Sequence, residues 1–455
     1  MNKDKIFNSL SNIFDKKNIK TDVTNIHKYR NDWSTNFDSN PLAIVFPTET
    51  EQIVNVLKLC NEFNHPLIGS GGRTGLSGGA SALSNELIVS FDKMNKILDF
   101  DEASQTVLCQ PGLITQNLQS FALENNLFYP VDFSSSGSSQ IGGNIATNAG
   151  GIKVVKYGLT SKYVAGLNVV TGNGSKFLMD TKLIKDATGP DLKNFFIGSE
   201  GVFGLTTSCR IQLLKKPKET KVVLIGFNDI SSLDQMTKVL LKLDIEAVEF
   251  FTRNALDQVN REFDNVDIGN LNNNYYLIVE LCDQLNFYST FEKIYINKLA
   301  QEIIVSSNNS QNKSIWDYRL LISESISRKN PIKFDVAVPV KNTSKLINIL
   351  ESFFSNNSLY HLILFGHIGD GNLHINVLKN SESIQSQEIL ALEKEIFSMI
   401  LKLEGTISAE HGVGSKKLKV FMQQANNNKI DLFKNLKNYF DKNLILNPGK
   451  LIDLN

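Results

Sequence analysis

The order of apolar and polar residues predicts alternating strands and helices at the start of the chain. Residues 43–46 and 87–90 are short apolar runs typical of strands, and residues 50–63 have the spacing of an amphipathic helix. Residues 6–14 place apolar side chains at helical spacing, which favours a packed N-terminal helix over one at a membrane interface. The start of the chain therefore predicts strands and helices that pack together.

The pattern changes near residue 221, where alternating apolar strands become frequent. Residues 222–227 and 275–280 are two such strands, and amphipathic helices separate them. This order predicts an antiparallel sheet with helices on one side.

Composition and charge exclude several classes of function. A chain of 455 residues is expected to form two or three domains. Lysine plus arginine and aspartate plus glutamate both number 47, so the net charge is zero and nucleic acid is not an expected partner. The four cysteines are widely separated, which argues for a reducing compartment and against a disulfide framework. Neither a signal peptide nor a run of about eighteen apolar residues is visible, so we expect a cytoplasmic protein, with peripheral attachment to the inner membrane as the alternative.

Three of the six histidines lie in glycine-rich segments near the C-terminus. His374 would share one face of a strand with Asn376, whereas His367 reaches that face only if the glycine turn at residues 369–371 folds the chain back. An irregular turn would direct Glu410 to the same place. We therefore predict that His367, His374 and Glu410 bind a divalent metal. The set fits Zn2+ and would also accept Mn2+, Fe2+ or Co2+.

His411, beside Glu410, is left for another role. A neutral imidazole titrates near working pH, so it suits a general base worth roughly 10²- to 10⁴-fold in rate. A single histidine is more often a core or turn residue than a ligand. Core packing does not require four polar groups inside glycine turns, however, so a metal site with a base is the favoured interpretation.

Glycine-rich segments occur in the first half of the chain at residues 69–79, 134–151 and 197–206. The first would let backbone amides approach an anion, and Thr74 and Ser77 add hydroxyl donors, as a pyrophosphate requires. This loop is neither a Gly-x-Gly-x-x-Gly fingerprint nor a P-loop, so a nicotinamide cofactor or a nucleoside triphosphate is not expected. The second segment is a similar run of small and polar residues, and two such segments imply one long ligand.

These segments, with residues 367–376, 408–414 and 446–450, resemble the FAD-linked 2-hydroxyacid dehydrogenases of the vanillyl-alcohol oxidase type. That family includes D-lactate dehydrogenases, the flavoprotein component of glycolate oxidase and D-2-hydroxyglutarate dehydrogenases. The resemblance covers residues 29–451 in the family's order and spacing. It implies an α+β fold with a vanillyl-alcohol oxidase (PCMH) type FAD-binding domain at residues 1–219, an antiparallel-sheet substrate (cap) domain at residues 220–423 and a C-terminal helical segment at residues 424–455 that returns to the FAD domain.

The resemblance also implies the contacts with FAD. The pyrophosphate would lie against the first glycine segment, the ribityl chain and isoalloxazine against the second, and the adenine side against the third. The residues implied are Gly71, Gly72, Arg73, Thr74, Gly75 and Ser77, then Ser136, Gly137, Gly142, Gly143, Asn144, Ala149 and Gly150, and then Glu200, Gly201 and Val202. Covalent relatives carry the flavin on a histidine of the first segment, where this chain has Arg73 between glycines, so we expect noncovalent FAD.

The resemblance further implies a substrate-binding helix around Trp316. Arg319 and Ser323 are four residues apart and would face the same way. Arg319 would then bind a substrate carboxylate through two guanidinium nitrogens. Ser323 replaces the threonine of D-2-hydroxyglutarate dehydrogenases, and Lys333 would bind a second carboxylate. Without the family, Arg319 and Lys333 would be interpreted as surface side chains. Asn376 would orient the substrate or a metal ligand.

Together these features predict oxidation of a D-2-hydroxy acid to its 2-oxo acid by hydride transfer to flavin N5. The metal would lower the pKa of the substrate hydroxyl, and His411 would accept its proton. D-2-hydroxyglutarate is slightly favoured over D-lactate. A glycolate oxidase-type flavoprotein subunit and a metal-dependent hydrolase are the alternatives. The family suggests an electron-transfer flavoprotein, a quinone or a cytochrome as electron acceptor, and a homodimer is the candidate assembly.

Overall fold

The computed structural model describes residues 2–33, 38–183, 185–263, 271–282, 287–380 and 386–454. The chain divides into two compact units, one of residues 1–150, 159–216 and 410–455 and the other of residues 151–158 and 217–409. The sequence predicts boundaries after residues 219 and 423. The first lies close to the observed division after residue 216, whereas the chain returns to the first unit already at residue 410.

The helices of the described residues are named in chain order. They are α1 (Asn2–Ile13), α2 (Val23–Tyr29), α3 (Thr50–Glu62), α4 (Thr115–Glu124), α5 (Ile141–Thr147), α6 (Val154–Tyr157), α7 (Ser232–Leu240), α8 (Arg253–Glu262), α9 (Phe287–Ile296), α10 (Asn309–Leu320), α11 (Ile322–Ser327), α12 (Thr343–Ser355), α13 (Ser386–Lys402), α14 (Leu418–Gln424) and α15 (Asn427–Phe440).

The strands of the described residues are named in the same way. They are β1 (Ile19–Lys20), β2 (Ala43–Val45), β3 (Leu67–Ser70), β4 (Leu87–Ser90), β5 (Ile97–Asp101), β6 (Thr106–Cys109), β7 (Leu127–Phe128), β8 (Val164–Thr171), β9 (Lys176–Met179), β10 (Gly204–Gln212), β11 (Leu214–Lys215), β12 (Thr220–Phe227), β13 (Ile245–Thr252), β14 (Tyr275–Cys282), β15 (Glu302–Val305), β16 (Ile332–Ala337), β17 (Tyr360–His367) and β18 (Asn372–Lys379).

The first unit contains two larger sheets. One has the order β1-β2-β4-β3, with β2, β4 and β3 parallel, and the other is antiparallel with the order β5-β6-β10-β8-β9. The N-terminal helix α1 buries Ile6 and Leu10, and Phe14 follows it into the same core, which confirms the packed helix that the spacing predicts. The apolar faces of α1 and α3 close this core over the parallel strands.

The second unit is built on one seven-stranded antiparallel sheet with the order β15-β12-β14-β13-β17-β18-β16. The predicted antiparallel arrangement is therefore confirmed. All eight residues of β13 are buried, and successive strand residues point to opposite faces, so both faces are covered at the centre rather than the one that the sequence predicts.

Residues 151–158 belong to the second unit through two ion pairs. Lys153 Nζ lies 2.9 Å from Glu280 Oε1, and Lys156 Nζ lies 2.6 Å from Glu246 Oε1. Both glutamates lie on central strands of the sheet, and the side chain of Glu246 is fully buried. Charge pairing therefore holds this short segment, which contains α6, on the sheet.

The lengths and compositions of the helices also bear on membrane insertion. Among the described residues, no helix combines the length and the apolar composition needed to span a bilayer.

Candidate active site

The two histidines of the predicted metal site lie on one hairpin of the second unit. Strands β17 and β18 pair with His367 opposite Asn372 and with Phe365 opposite His374. Directly opposed residues share a face, as do residues two apart on one strand, so both imidazoles project from the same face. Their Nε2 atoms are 3.3 Å apart. The chain folds back between the two histidines, as their spacing requires.

Glycine makes this tight hairpin sterically feasible. Gly371 has a φ of +79°, and an added Cβ would collide with the carbonyl oxygen of Val338. A Cβ at Gly369 would lie 2.7 Å from Val155 Cγ2. A side chain at either position would displace a neighbour, so the glycines of the motif shape the turn that brings the histidines together.

Each imidazole has a carboxylate on its Nδ1 side. Glu249 of β13 lies opposite His367, and its Oε1 is 2.6 Å from His367 Nδ1. Asp335 of β16 lies opposite His374, with its Oδ1 3.8 Å from His374 Nδ1. At hydrogen-bond distance, the Glu249 carboxylate favours the His367 tautomer in which Nδ1 carries the proton and Nε2 keeps its lone pair for a metal ion. The Asp335–His374 separation is within ion-pair distance but too long for a hydrogen bond. The strand order β13-β17-β18-β16 therefore places two carboxylate–histidine pairs side by side.

Glu249 also holds Arg319, the predicted substrate-binding arginine. Its Oε2 lies 2.7 Å from Arg319 Nε, and the Arg319 guanidinium stacks 4.5 Å from the centre of the Phe365 ring. Arg319 is only 5% exposed, so its charge is neutralised inside the protein. The contact is an ion pair by distance, and neither Arg319 Nε nor Glu249 Oε2 has a hydrogen-bond partner among the described residues. Because Nε faces Glu249, the two terminal nitrogens are the pair that a substrate carboxylate would meet.

Glu249 was not among the residues predicted from the sequence. It lies between Val248 and Phe250 in an apolar run. A carboxylate in such a run is almost never buried unless it is paired, and this pattern is the signal that could have identified it.

Asn376 and Lys333 lie on the same face of the sheet as the two histidines. Asn376 lies two residues beyond the second histidine, and Lys333 is directly opposite it in β16. Asn376 is buried, whereas Lys333 is exposed. Ser323 lies in α11, which begins after α10 ends at Leu320, so the predicted helix is interrupted between Arg319 and Ser323. Their common direction remains a prediction.

Glu410 and His411 open the segment that belongs to the first unit. The residue before them, Ala409, is fixed in the second unit because its amide donates a hydrogen bond to the Asp335 carbonyl oxygen at 3.4 Å. One trans peptide bond keeps the Cα atoms of Ala409 and Glu410 about 3.8 Å apart. The roles of Glu410 and His411 remain predictions.

Two of the glycine-rich segments of the first unit meet each other. A Cβ at Gly71 would lie 3.6 Å from Gly143 Cα, and a Cβ at Gly72 would collide with the carbonyl oxygen of Ser138. A Cβ at Gly143 would meet no atom within 4 Å. Beside this space, Gln140 Oε1 is buried and has no hydrogen-bond partner among the described residues. The segments therefore form a backbone-lined space with an acceptor to satisfy, which fits an extended cofactor.

Comparison with known proteins identifies the cofactor. The family model for an FAD binding domain matches residues 41–177, and the model for the C-terminal domain of FAD linked oxidases matches residues 216–451. The chain is 37% identical over 459 residues to the D-2-hydroxyglutarate dehydrogenase of Stutzerimonas stutzeri (strain A1501), with 98% of both chains covered. It belongs to the FAD-linked 2-hydroxyacid dehydrogenases. The mitochondrial D-2-hydroxyglutarate dehydrogenase of Arabidopsis thaliana is 32% identical over 454 residues, which cover 97% of this chain and 80% of that one.

Solved structures confirm the fold of this dehydrogenase. The 4-ethylphenol oxidase from Gulosibacter chungangensis matches with a TM-score of 0.78 at 16% identity, covering 98% of this chain and 96% of that one. The p-cresol methylhydroxylase with substrate bound matches with a TM-score of 0.77 at 17% identity, covering 99% and 97%. The predicted α+β fold of the vanillyl-alcohol oxidase type is confirmed.

Several polar side chains that were predicted to contact FAD in this dehydrogenase are bound to the protein itself. Arg73, at a φ of +60°, donates to the Gly71 carbonyl oxygen at 3.0 Å and lies 4.2 Å from the centre of the Tyr29 ring. Asn144 donates to Thr115 Oγ1 at 2.7 Å. These side chains make hydrogen bonds within the protein that stabilise the glycine segments. Their contact with the cofactor remains a prediction.

Glu200, in the third glycine segment, is likewise bound to other groups of the protein. Its carboxylate accepts hydrogen bonds from the amides of Val413 and Gly414, both at 2.7 Å. Burial raises the pKa of the Glu200 carboxyl, and these two amides partly offset the increase. Val202 is wholly buried, and its carbonyl oxygen accepts from Lys437 Nζ at 2.9 Å. The third segment thus binds the C-terminal part of the chain, and no contact with adenine follows from these bonds.

Proposed function

We propose that this FAD-linked D-2-hydroxyacid dehydrogenase oxidises D-2-hydroxyglutarate to 2-oxoglutarate and needs a divalent metal to do so. The observation that carries the proposal is the pair of histidine Nε2 atoms that face each other on the β17-β18 hairpin, each backed by a carboxylate. The FAD-binding family model argues against the metal-dependent hydrolase that the histidines alone would also allow.

The ligands that we propose for the metal are His367, His374 and Glu410. In a tetrahedral site with metal–nitrogen bonds of about 2.0–2.1 Å, two nitrogens are about 3.3 Å apart. The two Nε2 atoms are separated by 3.3 Å, so both can bind one ion without a change of rotamer. The anchored Ala409 is the argument for Glu410 as the third donor. Nitrogen and oxygen donors suit Zn2+ and also accept Mn2+, Fe2+ or Co2+.

The side chains then have distinct tasks. When bound, the metal polarises the substrate hydroxyl and FAD accepts the hydride. Arg319 binds the adjacent carboxylate through its terminal nitrogens and fixes the orientation of the α-carbon. His411 takes the hydroxyl proton on a ring nitrogen. Asn376, buried beside His374, orients the substrate or the ligand.

Lys333 is the reason to favour a dicarboxylate. It is on the same face as His374 but two residues further along the sheet, which corresponds to about 6.6 Å along a strand. That distance resembles the separation of the two carboxylates of hydroxyglutarate, so Lys333 is placed to bind the distal one. D-lactate and glycolate have no second carboxylate. Retention of the whole polar set argues against a noncatalytic glycolate oxidase-type subunit.

An anaerobic panel of hydroxy acids tests this proposal. Wild-type protein is mixed with D-2-hydroxyglutarate, its L enantiomer, D-lactate or glycolate, and bleaching of the flavin absorbance is followed. We expect D-2-hydroxyglutarate to bleach the flavin most efficiently and a chelator to abolish the reaction until metal is restored. Equal bleaching after complete removal of metal would rule out the metal's role, and failure of every D-acid would rule out the chemistry.

Lys333→Met separates the dicarboxylate from its competitors. Removing a charge-assisted contact is expected to raise the KM for D-2-hydroxyglutarate by about tenfold or more, since such contacts contribute about 1.5–3 kcal/mol. The KM for D-lactate is the internal control and should not change. Equal effects on both acids would contradict the assignment of Lys333. The electron acceptor in the same proposal is an electron-transfer flavoprotein, a quinone or a cytochrome, in a cytoplasmic homodimer.

A further inference from the structure

We propose that Glu249 is a positioning residue that sets the metal ligand His367 and the substrate-binding Arg319 at the same time. The inference rests on the proposed metal site and adds a residue to it. Its basis is the way in which the two oxygens of one carboxylate are divided between two functional side chains.

The contacts of Glu249 are short and use both oxygens. Oε1 lies 2.6 Å from His367 Nδ1, and Oε2 lies 2.7 Å from Arg319 Nε. The glutamate is fully buried. A buried carboxylate with two charge-assisted partners has little freedom to rotate, so the position of each partner depends on the same group.

The first consequence concerns the ligand. Glu249 accepts the Nδ1 proton of His367, so that the Nε2 lone pair faces His374 Nε2. Without the carboxylate, the imidazole could take the other tautomer or turn about its bond, and either change would withdraw a donor from the metal. Partners of this kind typically affect metal affinity by about 10- to 100-fold.

The second consequence concerns the substrate. Arg319 is pressed against the Phe365 ring on one side and bound by Glu249 at Nε. This arrangement fixes the plane of the guanidinium and leaves its terminal nitrogens as the pair that would bind a substrate carboxylate. Glu249 also neutralises part of the Arg319 charge, so the arginine is held in a buried place without an uncompensated cation.

The experiment compares three variants. Glu249→Gln keeps the shape of the side chain, but the amide carries no charge to pair with Arg319, and one of its two ends is a donor rather than an acceptor. Arg319→Met removes only the guanidinium that is proposed to bind the substrate. Glu246→Gln is the matched control, since Glu246 is in the same strand, is equally buried and pairs with Lys156 instead.

Two readouts distinguish positioning from a structural effect. Zinc affinity is measured without substrate, by competition with a chromogenic chelator, and KM and kcat are measured with D-2-hydroxyglutarate under saturating metal. We expect Glu249→Gln to weaken zinc binding by about 10- to 100-fold and to raise KM. Arg319→Met should raise KM and leave zinc affinity unchanged. Glu246→Gln should change neither.

The outcomes separate this inference from the function on which it rests. If wild-type protein binds zinc and Glu249→Gln binds it equally well, the role of Glu249 is overturned while the metal site stands. If Glu249→Gln changes zinc affinity but not KM, the link to Arg319 is overturned. If wild-type protein binds no divalent metal, the proposed metal site fails, and the inference fails with it. Circular dichroism and thermal melting confirm that each variant is folded before it is scored.

Discussion

The two units of this dehydrogenase provide their sites by different means. In the first unit, glycines bring backbone segments together around a space, and the charged side chains nearby are bound to the protein's own backbone. In the second unit, carboxylates and imidazoles project from one face of a sheet and contact each other, and Arg319 of α10 pairs with one of the carboxylates. A site made of backbone is sensitive to added volume, whereas a site made of side chains is sensitive to lost charge and lost donors.

Buried lysines illustrate the first kind of organisation. Lys450 is fully buried and donates to the Ser81 carbonyl oxygen at 2.6 Å. Lys437 donates to the carbonyl oxygens of Val202 and Leu446 and pairs with Asp441. Both lysines bind the C-terminal segment to the rest of the first unit, so their hydrogen bonds support the fold around the glycine-rich segments. In the second unit, by contrast, the buried Arg319 pairs with the Glu249 side chain, and its terminal nitrogens are the ones that we propose bind the substrate.

The largest effect is expected from loss of a metal ligand. His374→Ala removes one Nε2 donor and should lower kcat/KM for D-2-hydroxyglutarate by about 10³-fold, or ~4 kcal/mol of transition-state stabilisation. Bound FAD, measured by its absorbance, should remain, because the first unit is not altered. The control is His361→Ala, a histidine in the same hairpin that is not part of the proposed site. Near-normal turnover in His374→Ala would show that the paired imidazoles are not functional.

A pH-dependent effect is expected in the first unit. Burial lowers the pKa of Lys450 from 10.5 to about 8. Between these values the unfolded chain binds a proton that the native protein does not, so the Lys450 contribution to the free energy of unfolding rises with pH across that window. The full rise is on the order of 3 kcal/mol. Urea denaturation of wild type and Lys450→Met at pH 8 and pH 10.5 measures it as the change in their stability difference. Parallel pH profiles would contradict the lowered pKa.

The parts of the site that could be predicted from the sequence are those set by local geometry. An odd spacing between His367 and His374, with glycines between them, requires a turn, and the hairpin has that turn. The density of glycines in the first half indicates close backbone approach, and Gly71 and Gly143 do approach each other. In both cases the information lies within a few residues of the feature itself.

Features that depend on strand order could not be predicted in this way. Glu249 is 118 residues from His367 and meets it only because β13 pairs with β17. The helix around Arg319 has continuous apolar spacing, yet it is interrupted at Leu321, where ψ is −9°. The return to the first unit at residue 410 depends on contacts such as those of the Val413 amide with Glu200. Periodicity within a segment carries no information about such distant partners.

Added volume should disturb the first unit at the point where its segments touch. A Cβ at Gly72 would overlap the Ser138 carbonyl oxygen, which is backbone and cannot rotate away. Gly72→Ala is therefore expected to reduce the free energy of unfolding of the apoprotein by about 1–3 kcal/mol, as overpacking does elsewhere. FAD content should fall with stability. An unchanged urea midpoint would show that the two segments separate easily.

Gly143→Ala gives the smallest change in stability and the sharpest comparison with Gly72→Ala. Gly143 lies within helix α5, where alanine is favoured over glycine by up to about 1 kcal/mol, and its added Cβ would meet no protein atom within 4 Å. The apoprotein should therefore be equally stable or slightly more stable. FAD affinity should nevertheless fall, because the methyl group enters the space assigned to the cofactor, and titration of apoprotein with FAD measures this. A variant that gains stability and loses FAD would show that this space is kept open for the ligand, whereas unchanged affinity would place the flavin elsewhere.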